Sequence, residues 1–281
     1  MEWFAPVVDL IVQEFNPPGS DADKHVLVFG SSGVGKTSFI NALTGGTMPT
    51  GSGARGVTLE SHEFRTSRDG VDYRIVDTAG LNEADRGTVS GIDAVKGLVR
   101  LLKRTEGGLN LAIMVVPKGR IHASMMGNYK LFVEEMMSNM VPLVIVVTHC
   151  EREGGDMQGW VRDNKQDFLS RGISAQKMVA TTFISPNPEI DNVAAMNTKV
   201  ELSVELSWDA IRRYATAQRV DFMGQGGGFQ ETARKMYNSV ARRIGTGAVW
   251  VSSAFVRLIQ RVVGLDERAA KRAAREVIAH G

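Results

Sequence analysis

Three short groups of residues have the types and spacing to handle a polyphosphate. The first is Gly30-Ser-Ser-Gly33-Val34-Gly35-Lys36-Thr37. It follows an apolar run, Val26 to Phe29, and opens an amphipathic pattern carried by Phe39, Ile40 and Leu43, so it reads as strand, loop and helix. Glycines let a backbone curl until successive N–H groups converge on phosphate oxygens, and the start of the helix adds the positive end of its dipole. Ser32, Gly33, Val34, Gly35, Lys36, Thr37 and Ser38 are expected to line that cradle. Lys36 supplies a point charge to the β- and γ-phosphates, and the Thr37 hydroxyl takes one coordination position on Mg²⁺. This spacing implies a nucleoside triphosphate site.

The second group is Asp77-Thr-Ala-Gly80, at the end of a strand downstream of that loop. Asp-x-x-Gly alone is also a common turn. Placed here, Asp77 can hold the Mg²⁺ shell while the Gly80 N–H senses the γ-phosphate. Between the two groups runs a glycine-rich loop, 44–56, which ends in Val57-Thr58. Thr58 has the one hydroxyl placed to close on the γ-phosphate and its Mg²⁺, or it is simply the first residue of a strand. The third group, Thr148-His149-Cys150-Glu151, follows a buried strand. The Glu151 carboxylate can accept both N1–H and N2–H₂ of guanine, and His149 can stack on the purine. The plain alternative is an ordinary strand-end loop. The motif order is that of the Ras-like GTPases.

These groups need a frame that brings strand ends together. Strands are expected at about 58–66 and 71–77, joined by a hairpin at Asp69-Gly70, then at 109–116, 142–147 and 177–184. Helices are expected at about 89–105, 123–139, 157–170 and 192–216. Alternating strands and helices predict a mostly parallel six-stranded sheet with helices on both faces, the α/β architecture of a Ras-like P-loop NTPase. Ligand loops then fall at the strand C-termini. Phe4, Val7, Val8, Ile11 and Phe15 mark an N-terminal helix within residues 1–20, packed on the domain, touching a membrane or dimerising. The nucleotide domain spans 21–223, the run Gly224 to Gly228 reads as a linker, and 229–281 form a helical extension.

Composition narrows the class. A net charge of +2 over 281 residues does not by itself argue for nucleic acid. One cysteine, Cys150, allows no internal disulfide and fits a reducing, cytoplasmic compartment. No basic leader opens the chain, and no apolar run reaches the ~20 residues of a spanning helix. From Glu231 onward there are ten Lys/Arg against four Asp/Glu, so the C-terminal helices are basic. That segment could lie on a membrane surface, making the protein a membrane-recruited GTPase with peripheral attachment. Its few aromatic residues give poor support to nucleic-acid binding.

Gly56-Val57-Thr58, Asp77-Thr-Ala-Gly-Leu81-Asn82 and the strand ending in Thr148-His149 resemble the septin, GIMAP and chloroplast-import-receptor group of GTPases, in particular its fungal G domain-containing relatives. The resemblance covers roughly 24–216 and implies GTP/GDP and Mg²⁺ as ligands, with homodimers paired through their nucleotide faces. One departure concerns rate. Leu81 stands where many GTPases carry a water-orienting Gln, so hydrolysis is expected to be slow. Arg55 and Arg86 are candidates to act in trans. The expected function is a GTP-dependent switch.

Overall fold

The computed structural model describes residues 23–46, 62–78, 100–154, 156–185, 187–188 and 192–225, with 228, 231, 232, 235 and 236 beyond them. β1 (Lys24–Phe29) runs through the phosphate loop into α1 (Lys36–Thr44). β2 (His62–Arg68) and β3 (Val71–Asp77) follow, then β4 (Leu111–Pro117). Next come α2 (Ala123–Asn128), β5 (Leu143–Thr148), α3 (Met157–Ser170), β6 (Lys177–Ala180), α4 (Val193–Tyr214) and α5 (Phe222–Gln225). The six strands form one sheet in the order β2-β3-β1-β4-β5-β6. Only β2 runs antiparallel to its neighbour. This is the Ras-like α/β fold expected from the strand–helix alternation.

The central strands are apolar on both faces, as strands covered by helices on either side must be. Leu27 and Phe29 enter one core with Leu101, Phe132, Val147 and Phe168. Val26 and Val28 enter the other with Phe39, Ile40, Trp208 and Ile211. Parallel register sets the ends of β1, β3 and β4 side by side: Val28 lies beside Asp77 and Phe29 beside Met114. The loops after these strands therefore open on one rim.

Several boundaries differ from the sequence pattern. The β2–β3 hairpin turns at Asp69 and Gly70 with φ of 53° and 75°, as its Asp-Gly signal predicts, but β2 continues to Arg68 because Arg68 still pairs with Val71. β6 ends at Ala180, short of the predicted 184. β5 stops at Thr148, so the pairing runs out just past Thr181, whose N–H still donates to the Val147 carbonyl (2.7 Å), and the Thr182 N–H donates to Ser203 Oγ (2.9 Å). The expected 123–139 helix is α-helical only to Asn128 and then π-helical over Tyr129–Met136. Ser138 and Asn139, both at positive φ, end it. Met125, Met136 and Met137 fill the core, while Met126 faces outward.

Gly224, in the run that reads as a linker, lies within α5, and Thr232 and Met236 beyond it are buried, Met236 in the same core as Phe222 and Met223. Among the described residues no helix is long and apolar enough to cross a membrane. The N-terminal helix, the loops carrying Arg55, Thr58, Gly80, Leu81 and Arg86, and the basic helices after 236 lie outside the described residues.

Candidate nucleotide site

The phosphate loop leaves β1 under tight steric constraint. At Gly30 (φ +154°) a Cβ would lie 2.3 Å from the Val115 carbonyl oxygen of β4, so only glycine lets the loop pass. Gly33 and Gly35 also have positive φ. Gly35 is the N-cap of α1 and offers no side chain to the first N–H groups of that helix, which leaves them to an outside acceptor. Lys36 is buried inside the turn. Its ammonium donates to the carbonyl oxygens of Gly30 (3.0 Å) and Ser31 (2.9 Å), so it already sits under the loop. Ser32 and Gly33 are exposed at the rim, Thr37 and Ser38 are half-buried, and Val34 anchors the loop in the core.

Asp77 ends β3 beside this ammonium and is 2% exposed. Burial pushes its carboxyl above the usual range, against the opposing pull of Lys36, His62 and the Thr78 N–H. Its Oδ1 has no hydrogen-bond partner, and neither has the neighbouring Thr78 Oγ1. A buried carboxylate with an unspent oxygen beside a threonine hydroxyl fits Mg²⁺, a hard cation that takes one or two carboxylates and keeps several waters. Among the described residues no group of three or more His, Cys, Asp or Glu could hold a metal, so a carboxylate-rich cage is not on offer.

The β5 end closes the other side. Thr148 Oγ1 hydrogen-bonds the carbonyl oxygens of Val34 (2.7 Å) and Val116 (3.1 Å), tying the phosphate loop to two strands. His149 follows at φ 63°, exposed. The Glu151 carboxylate accepts from Thr182 Oγ1 at 3.4 Å. Cys150 is buried between them, and burial raises its thiol to about 11, which makes it a packing residue and not a nucleophile. The structure thus brings Ser32 to Ser38, Asp77, His149 and Glu151 to one rim. Thr58 and Gly80 lie outside the described residues.

Three supports were not visible as motifs. Thr148 belonged to the third group, but its hold on the phosphate loop depends on strand packing. Asn128 Nδ2 donates to Ser31 Oγ (3.1 Å) from the helix after β4. Lys199 of α4 reaches the Glu151 loop. Their partners lie far off in the chain, and no local pattern marks them.

Residues 25–149 match the family of 50S ribosome-binding GTPases. GTPase Der of Lachnospira eligens is 30% identical over 120 residues, covering 37% of this chain and 27% of the relative. The tRNA modification GTPase MnmE of Dinoroseobacter shibae is 33% identical over 96 residues, covering 34% and 23%. The chain thus spans about a quarter of the length of these curated relatives. A solved structure of the chloroplast translocon components atToc33 and psToc159 is 19% identical at a TM-score of 0.48, covering 76% of this chain and 89% of that one.

Proposed function

We propose, from the premise that this chain carries a P-loop GTPase G domain, that it is a Mg²⁺-dependent GTP-binding protein. It hydrolyses GTP slowly to GDP and acts as a nucleotide-dependent switch. One observation carries the reading: a buried ammonium beneath a glycine turn, beside a buried carboxylate with an unspent oxygen. Lys36 neutralises the β- and γ-phosphates, and the N–H groups from Ser32 to Ser38 cradle them. Thr37, Thr58 and Asp77 hold the metal, which when bound supplies charge neutralisation at the phosphate oxygens. Thr58 and the Gly80 N–H sense the γ-phosphate, and His149 and Glu151 take the guanine.

Leu81 cannot orient water, so turnover waits on a group supplied from elsewhere. Arg55 or Arg86 of a second copy, paired across the nucleotide face, is the source proposed here; a supplied arginine is worth roughly 10³–10⁵ in rate. The proposed setting is the cytoplasm.

Calorimetry with GTP, GDP, GDP plus aluminium fluoride, and ATP, with the oligomeric state read in each, tests this. GTP should bind in preference to ATP, Lys36→Ala should abolish triphosphate binding, and the aluminium fluoride complex should favour dimers. No uptake of any purine triphosphate in the presence of Mg²⁺ would remove the assignment.

A further inference from the structure

The turn that carries Glu151 is held by two cations that belong to no motif. Lys199 lies 48 residues further along the chain, in the first half of α4. Its ammonium donates to the carbonyl oxygens of Glu151 (2.8 Å) and Glu153 (2.7 Å). These are charge-assisted bonds, stronger than the amide pairs around them. From the other side Lys118, just after β4, pairs with the Glu153 carboxylate, and its own N–H donates to the Thr148 carbonyl (2.9 Å). The Glu153 N–H donates to the Cys150 carbonyl (3.1 Å), and the Cys150 N–H to that of Thr181 (3.2 Å). The carbonyls of Thr148, Cys150, Glu151 and Glu153 are therefore all engaged.

The placement of Lys199 follows from how α4 is anchored. Its buried residues, Ser203, Ser207, Trp208, Ala210 and Ile211, begin only at the middle of the helix. Val193, Ala194, Ala195, Asn197 and Thr198 are exposed. The start of the helix, 193–198, is thus largely exposed, and Lys199 follows it over the turn.

We infer that Lys199 is a positioning residue for base selection: it fixes the backbone from which the Glu151 carboxylate is aimed, and so sets the preference for guanine over adenine. This deepens the GTP reading and rests on Glu151 as the base-reading group. A carboxylate must meet two guanine N–H groups at once, which tolerates little error in direction. Adenine presents a lone pair at N1, so a carboxylate held in place also repels the wrong base. Let the turn drift, and both effects fade while the phosphate grip stays intact.

The test is calorimetry on the full chain with Mg²⁺, comparing GTP with ATP. Lys199→Met keeps the stem and removes the charge. It should weaken GTP about tenfold, on the scale of lost charge-assisted bonds, and leave ATP within about twofold. Lys199→Arg should recover most of the preference. Glu151→Ala should narrow the GTP/ATP ratio, and adding Lys199→Met to it should narrow the ratio no further. If Lys199→Met lowers both nucleotides equally, or changes neither while Glu151→Ala narrows the ratio, Lys199 does not position the base reader. If Glu151→Ala itself leaves the ratio unchanged, the base-reading role of Glu151 falls, and this inference with it.

Discussion

At the residue scale, Asp77 illustrates a site built at the expense of the unliganded fold. Burial raises its carboxyl pKa, so the ionised form is disfavoured in the folded state. The sign follows: ionised Asp77 costs the apo protein stability at neutral pH, and that cost fades as pH falls through the raised pKa. Asp77→Asn should therefore raise the apo melting temperature at pH 7 while weakening Mg²⁺-dependent GTP binding by roughly tenfold or more. A lower apo melting temperature for the variant would contradict this account. His25 works in the opposite sense at the far end of β1. Its backbone N–H donates to Asn110 Oδ1 (2.7 Å), and burial, reinforced by Arg219 and Arg74, lowers its imidazole from 6.5 to about 4. The unfolded chain takes up a proton below pH 6.5 that folded His25 refuses. Stability should therefore fall between those values by at most about 3 kcal/mol. Denaturation midpoints measured from pH 7 to 4.5 should lose most of this slope in His25→Asn.

At the element scale, what could be read ahead from the residues was whatever is signalled locally. The bounds of α3 follow from Asp156, whose side chain accepts from the Gln158 N–H, and the hairpin follows from Asp69-Gly70. The end of β6 was hidden because it depends on where β5 stops. The π-helical segment was hidden because Met125, Tyr129, Phe132, Val133 and Met136 fit an ordinary helical stripe equally well. That segment has a consequence for the site. Asn128 is the last residue of α2 before the change of pitch, and its amide reaches Ser31 across a cavity of about 50 Å³. Val34, Val116, His122 and Met125 line the same space. The bond is thus a direct polar tie between this helix and the phosphate loop. Asn128→Ala should weaken GTP several-fold at a stability cost of about 1 kcal/mol, Ser31→Ala should do the same, and the double variant should be no worse than either. Additive losses in calorimetry would show that the two residues act separately.

At the scale of the whole molecule, the question is whether the chain after the glycine run is an appendage or part of the domain. Met236 is fully buried in the core that also holds Leu101, Leu109, Phe222 and Met223, so a cut after Gln225 removes core as well as the basic segment that follows. Replacing such a methionine by alanine costs about 2–5 kcal/mol. Met236→Ala in the full chain should therefore lower the melting temperature, and a chain ending at Gln225 should melt at least as low. An unchanged melting temperature in both would return the segment to the status of a free extension. The same pair of proteins decides the membrane question. Flotation with anionic vesicles that is lost in the shortened chain but kept in Met236→Ala would assign lipid binding to residues 237–281, with their excess of Lys and Arg. Loss in both would mean that an intact core, not a basic tail, is what the vesicles require.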